Sequence, residues 1–140
     1  MYFLKLHQSG EDYIKTILLL HKQSHEVRNV DIAEAMGYKK PSVSHMIKNL
    51  KQLHYVTVIG NNVCLTADGL QYANKIYARY CIIKDLLICL GVSPQVAEKD
   101  ACRIEHMIND ETFEALKNQL TKRGEMINGV FAGSAIDKGL

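Results

Sequence analysis

Apolar residues recur at helical spacing over residues 13–53 and predict three helices there. The first helix ends near Gln23. The second begins at Asn29 or Asp31 and ends at Gly37, because glycine tolerates the left-handed conformation of a C-cap. The third begins beside Pro41, since a missing N–H costs nothing in a first helical turn. Their apolar faces comprise Tyr13, Ile14, Ile17, Leu18 and Leu20, then Val30, Ile32, Ala33 and Met36, then Val43, Ile47, Leu50 and Leu53.

The pattern changes from helical to strand-like after residue 54. Residues 55–59 (YVTVI) have high β-propensity, Gly60, Asn61 and Asn62 favour a turn, and residues 63–65 (VCL) predict a return strand. A hairpin directly after a helix, a glycine-containing turn and a second helix is typical of a winged helix-turn-helix. We therefore predict a mostly α protein whose N-terminal domain, residues 1–70, is a winged helix-turn-helix DNA-binding domain.

The second half of the chain reads as helical throughout. A helix of about 24 residues is predicted to begin after Thr66 and to end before Gly91. Ser93 is a good cap for the next helix, and a last helix follows. We expect residues 71–121 to form a helical metal-binding and dimerisation domain. Apolar residues in 122–140 do not recur at a regular spacing, so we expect this segment to be a flexible tail.

Charge changes sign along the chain, which has 140 residues and a net charge of +2. Residues 1–80 carry ten basic and six acidic side chains, whereas residues 81–140 carry seven and nine. A basic first half suits a nucleic-acid partner. No apolar run approaches the roughly 20 residues that span a bilayer, and the first residues do not resemble a signal peptide. We therefore expect a cytoplasmic protein with no membrane partner and with reduced cysteines.

The third helix carries a polar, basic face opposite its apolar one. Serine and histidine side chains donate to base edges or phosphate oxygens, and lysines neutralise phosphates. A solvated amphipathic helix is the alternative, but the hairpin that follows favours DNA binding. The turn between the predicted strands has no Arg or Lys, so a plain tight turn is the favoured interpretation there. The candidate DNA contacts are Ser42, Ser44, His45 and Lys48, with Lys39 and Lys40 before them.

The stretch ACRIEHMI, residues 101–108, places Cys102, Glu105 and His106 on one helical face. A thiolate, a carboxylate and an imidazole suit a late first-row divalent metal, although another element should add a ligand. The alternative is a buried cysteine beside two solvated polar residues. A catalytic Cys102–His106 pair is disfavoured, because no oxyanion-hole loop or third orienting group is evident. We expect neither enzyme activity nor a small-molecule substrate.

Together these features resemble the diphtheria toxin repressor and manganese transport regulator family of metal-responsive repressors. The resemblance rests on EDYIKTI, VDIAEAMGYKKPSVSHMIKNL, LGVSP and CRIEHMI, and it covers residues 9–120. It implies the two-domain form, a homodimer, and binding to a palindromic DNA operator when Mn²⁺ or Fe²⁺ is bound. The operator contacts of the family fall on Pro41, Ser42, Ser44 and His45, and its metal ligands on Asp12, Cys102, Glu105 and His106.

Other ligand positions of the family carry residues that do not suit a metal. Acidic positions fall on Lys15 and Lys84, and a histidine position falls on Tyr80; in addition, Glu98 stands where the iron-dependent branch has a histidine. A protonated lysine cannot ligate a metal, so the sequence retains one ion site at most. Three hypotheses stay open: a metal-responsive repressor, a metal-independent regulator in which Lys15 or Lys84 replaces the charge of the metal, and a winged helix used only as a scaffold.

Overall fold

The computed structural model describes residue 6 and residues 8–126, with side chains as far as Lys122, and this part is mostly helical with one two-stranded sheet. It divides into two compact units after Asn74. No helix in these residues is long and apolar enough to cross a membrane. The elements are α1 (Gln8–Gln23), α2 (Asn29–Met36), α3 (Lys40–Gln52), β1 (Val56–Ile59), β2 (Asn62–Leu65), α4 (Ala67–Cys89), α5 (Pro94–Met107) and α6 (Asp110–Met126).

The first unit is built on the apolar faces of α1, α2 and α3. Ile14, Ile17, Ile32, Val43 and Leu50 have no solvent exposure, so the predicted apolar faces form its core. The assignment of Val30 to that core is wrong, because its side chain is exposed. Since α2 has only eight residues, a narrow stripe is enough to attach it to its neighbours.

Local cap chemistry sets the end of α2 and the start of α3 as predicted. Gly37 has a φ of 70°, in the left-handed region, and its N–H donates to the carbonyl of Ala33. At the other end of α2, the N–H of Arg28 donates to Asp31 Oδ2 at 2.8 Å. Pro41 lies in the first turn of α3. The turn between the two helices is therefore specified by residues at its borders.

The strands β1 and β2 pair antiparallel and form the wing. Ile59 faces Asn62, so the turn contains only Gly60 and Asn61, and Asn62 belongs to the return strand rather than to the predicted turn. The wing is fixed to the segment before α2. There Val63 N donates to Val27 O at 2.7 Å, and Val27 N donates to Asn62 Oδ1 at 2.8 Å.

Helix α4 begins where the wing ends. The Thr66 hydroxyl oxygen accepts the N–H of Gly69 at 3.0 Å, which is the predicted N-cap. The same hydroxyl donates to the carbonyl of His54 at 2.6 Å. Helix α4 continues through Asn74, so both the predicted domain boundary and the division between the units fall within it.

The second unit comprises the rest of α4 with α5 and α6. Its buried apolar cluster contains Ile82, Leu86, Phe113 and Leu120. Helix α6 reaches Met126, so the backbone of residues 122–126 is helical where the sequence predicts the start of a flexible tail. The remainder of that predicted tail, residues 127–140, lies outside the described residues.

Candidate nucleic-acid interface and metal site

The outer face of α3 presents every predicted DNA contact to solvent. Val43, Ile47 and Leu50 are buried and orient the helix on the first unit. The side chains between them and in the preceding turn point outward. The exposed residues are Lys39, Lys40, Pro41, Ser42, Ser44, His45 and Lys48.

The electrostatics of this face favour an anionic partner. No acidic residue lies in the first turn of α3, where the helix dipole places partial positive charge. Lys39 and Lys40 add two full charges at the same end. The face therefore combines phosphate-neutralising groups with the Ser44 and His45 side chains, which can donate to bases.

Asn29 is a polar neighbour of this face that the sequence analysis did not select. Its side-chain amide lies 3.4 Å from the Ser44 hydroxyl oxygen, a long and exposed hydrogen bond. Asn29 is the first residue of α2, so the two helices of the motif approach each other here. The sequence held a signal for this contact, because Asn29 carries an amide side chain at the predicted start of α2, the helix before α3.

The wing tip offers a different surface. Ile59 is 69% exposed, and Gly60 and Asn61 are also exposed. Residues 56–65 include no lysine or arginine, so the wing carries no formal positive charge with which to neutralise a phosphate.

The last turn of α5 holds a buried carboxylate beside a buried imidazole. The side chains of Glu105 and His106 are 0% and 2% exposed, and Glu105 Oε1 lies 3.1 Å from His106 Nε2. The alternative in which these two residues are solvated is therefore wrong. Cys102 is half-buried one turn earlier on the same regular helix, as the spacing predicts.

The donor set on α5 fits a divalent transition metal. A buried ionised carboxylate is stable only when it is paired or coordinates a cation. A thiolate, a carboxylate and an imidazole are the ligands that late first-row metals accept. Asp12, the fourth predicted ligand, lies half-buried on α1 of the first unit. The assignment of these four side chains as ligands stays a prediction.

A buried network fixes the start of the helix that carries Asp12. The neighbouring Glu11 is 8% exposed, and its Oε2 accepts the Tyr72 hydroxyl at 3.2 Å. That hydroxyl in turn accepts the N–H of Leu6 at 3.1 Å. Burial, and secondarily the Glu11 carboxylate, raise the pKa of Tyr72 to about 12, although the hydrogen bond from Leu6 acts in the opposite direction.

The residues that depart from the family pattern make contacts of their own. Lys84 Nζ lies 5.4 Å from the centre of the Tyr80 ring, a cation–π distance. The Tyr80 ring stacks on Tyr77 with centroids 6.2 Å apart. Lys15 is buried on α1. Two of these departures, Tyr80 and Lys84, therefore form one contact along α4.

Arg79 is a second residue that the sequence analysis missed. It is 9% exposed on α4, and Nη1 donates to the carbonyl of Ile108 at 3.1 Å and more weakly to that of Glu105 at 3.5 Å. Nη2 pairs with the Asp110 carboxylate. The sequence held a signal for this burial, because Arg79 follows Ile76 by three residues and so falls on the apolar side of α4.

Two family models match the chain. Residues 5–61 match the "Iron dependent repressor, N-terminal DNA binding domain". Residues 66–125 match the "Iron dependent repressor, metal binding and dimerisation domain". The first match contains the helix-turn-helix and the first strand of the wing, and the second contains α4, α5 and nearly all of α6.

Individual relatives agree with these matches. The transcriptional regulator MntR of Escherichia coli O6:H1 is 35% identical over 115 residues, which are 81% of this chain and 74% of that protein. The solved manganese regulator SloR has a TM-score of 0.72 at 29% identity over 80% of this chain. The metal-dependent transcriptional regulator MtsR has a TM-score of 0.76 at 27% identity over 80%. The chain spans about half the length of these two structures, 53% of each.

Proposed function

The chain belongs to the iron-dependent repressor family, and from that membership we propose that it is a metal-responsive transcriptional repressor of divalent-metal homeostasis. The buried Glu105–His106 pair on α5 is the observation that supports the metal response most directly. The exposed basic face of α3 supports DNA binding. We propose that the protein acts in the cytoplasm, where its DNA partner is accessible.

The proposed DNA partner is a palindromic operator bound by a homodimer. Each protomer would place α3 in the major groove, with Ser42, Ser44 and His45 at base edges and the lysines at phosphates. Because a dimer has two-fold symmetry, its two α3 helices require DNA half-sites about one helical turn apart. Pro41 lies in the first turn of that helix, next to the proposed base contacts.

The proposed metal is one Mn²⁺ or Fe²⁺ ion per protomer. Cys102, Glu105 and His106 would hold it, and the family resemblance adds Asp12. When bound, the ion supplies the positive charge that an assembly of deprotonated thiol and carboxylate groups requires. The chain contributes the orientation, because the Glu105 and His106 side chains are buried in one helical turn. Metal acts as an effector only if its affinity for the DNA-competent conformation is the higher one.

The metal-independent alternative is not favoured. The second family model describes a metal-binding domain and spans residues 66–125, which include the Cys102, Glu105 and His106 positions. In addition, the Lys84 ammonium group already lies against the Tyr80 ring of its own helix. A scaffold without DNA binding is equally disfavoured, because residues 5–61 match a DNA-binding domain.

Metal-dependent DNA binding is the test of this proposal. Metal-free full chain would be incubated with a genomic fragment library, with and without Mn²⁺, and retained DNA would be sequenced and assayed by gel shift. We expect retention of specific fragments only with Mn²⁺. Equal retention under both conditions would refute the metal response, and no retention at any salt concentration would refute the repressor function.

A matched pair of charge-neutral substitutions locates the site. Glu105→Gln removes a buried carboxylate from α5, whereas Glu114→Gln removes an exposed one from α6. We expect equilibrium dialysis to show loss of Mn²⁺ binding in the first variant and unchanged binding in the second. Equal Mn²⁺ binding by both variants would refute the assignment of Glu105 as a ligand.

A further inference from the structure

Arg79 connects three successive parts of the second unit through one guanidinium group. Nη1 faces the carbonyls of Ile108 and Glu105 at the end of α5. Nη2 pairs with Asp110 at the start of α6. The central carbon of the group, Cζ, lies 5.1 Å from the centre of the Phe113 ring. Arg79 therefore contacts the last turn of one helix and the first turn of the next.

These contacts provide hydrogen-bond donors to backbone carbonyls at the end of α5, where the helix itself provides none. The last four carbonyls of an α-helix have no partner within it, and α5 ends at Met107. A cation at this end also interacts favourably with the helix dipole. Because Arg79 is 9% exposed, water screens these interactions less than it would at the surface.

The contacts require an arginine rather than any cation. A guanidinium is planar and presents several N–H groups in fixed directions, so one side chain donates to a carbonyl and a carboxylate at once. A lysine ammonium is a compact charge on a flexible stem. A lysine at position 79 would therefore keep the positive charge but lose the fixed N–H donors that contact the carbonyl and the carboxylate together.

We infer that Arg79 is a positioning residue of the metal site, holding the last turn of α5 so that Glu105 and His106 point at a common ion. The inference rests on the proposed function. Arg79 touches the backbone of Glu105 and that of Ile108, two residues beyond His106, and its role is to orient the turn rather than to ligate. Residues that orient ligands typically change metal affinity by about 10–100-fold when they are replaced.

Metal affinity measured separately from stability is the test. Full-length Arg79→Met and Arg79→Lys would be titrated with Mn²⁺ against a fluorescent chelator, at a temperature where circular dichroism shows both metal-free variants folded. We expect the dissociation constant for Mn²⁺ to rise by about 10–100-fold in Arg79→Met and by less in Arg79→Lys. Arg103→Met and Arg103→Lys, at an exposed position of α5, are the matched controls and should bind as wild type does.

Asp110→Asn is a second variant that keeps the fold if Arg79→Met does not. The Asp110 side chain is 70% exposed, so its replacement loosens the guanidinium without opening the core. We expect a smaller loss of Mn²⁺ affinity in the same direction, with the melting temperature of the metal-free protein almost unchanged. A purely structural role for Arg79 would instead lower that melting temperature and leave the Mn²⁺ dissociation constant unchanged.

The outcomes separate this inference from the proposed function. Wild-type protein that takes up Mn²⁺ while the Arg79 and Asp110 variants bind it equally tightly would overturn the inference alone. Wild-type protein that takes up neither Mn²⁺ nor Fe²⁺ would overturn both. Weaker binding in the Arg79 variants, with unchanged binding in the Arg103 controls, supports both.

Discussion

Replacing Gly69 with alanine should destabilise the protein, although helix propensity alone would predict stabilisation. Gly69 lies in the first turn of α4, and alanine in a helix interior is favoured over glycine by about 0.8–1.0 kcal/mol. A Cβ atom added at Gly69 would lie 2.0 Å from the carbonyl oxygen of Tyr55. That oxygen belongs to the backbone and already accepts the N–H of Thr66 at 3.0 Å. It cannot move away without breaking the junction between wing and helix.

The two effects can be compared in magnitude. Forcing an extra methyl group into a packed site costs about 1–3 kcal/mol and occasionally more. Loss of the hydrogen bond from Thr66 to Tyr55 adds about 1 kcal/mol. Even after the gain in helix propensity is subtracted, Gly69→Ala should lower the free energy of unfolding by about 1–3 kcal/mol.

Urea unfolding followed by far-ultraviolet circular dichroism measures this change. Gln71→Ala is the control, because Gln71 is exposed two residues later on the same helix. We expect the urea midpoint to fall clearly for Gly69→Ala and to stay within about 0.5 kcal/mol of wild type for the control. A Gly69→Ala variant as stable as wild type would refute the reasoning, since the backbone would then tolerate the Cβ atom.

Three further predictions concern the first unit. Thr66→Ala removes the N-cap of α4 and should lower the free energy of unfolding by about 1 kcal/mol in urea, whereas Thr66→Ser should not. The raised pKa of Tyr72 favours the neutral phenol in the folded state. Its contribution to stability is therefore complete below pH 10.0 and is lost as the pH rises through about 12; urea melts across this range should show the loss in wild type and a smaller one in Tyr72→Phe. Lys48→Gln should reduce the salt slope of DNA binding by about one in fluorescence anisotropy, whereas Lys122→Gln, exposed on α6, should not change it.

Local chemistry made most of the first unit predictable. Gly37 ends α2, Pro41 lies in the first turn of α3 and Thr66 caps α4. Each was predictable because each effect involves residues within a few positions of one another. The apolar period predicted the buried faces for the same reason. The exposure of Val30 was missed, since a helix as short as α2 has room for only a narrow contact stripe. Periodicity alone does not give the width of that stripe.

Contacts between distant segments were not predictable from the sequence. The hydrogen bond from Val27 to Asn62 joins residues 35 positions apart, and the one from Arg79 to Ile108 joins residues 29 positions apart. Nothing in the spacing of the ACRIEHMI stretch indicates that its carboxylate and imidazole are buried. That burial depends on tertiary packing, which the hydrophobic pattern of α5 alone does not specify.

The burial of Glu105 and His106 is a reason to assign them a function rather than a structural role. Replacing a buried ion pair with apolar residues of similar size is often neutral or stabilising, so such a pair is weak evidence for stability. Positions where a chain departs from local folding rules are expected to be functional sites. The end of α5 departs from those rules twice. The Glu105 carboxylate has no exposed side-chain surface, and a buried guanidinium donates to the carbonyl of Glu105 and to that of Ile108 just after the helix. Both departures have one explanation if the end of α5 must hold a cation in a fixed geometry.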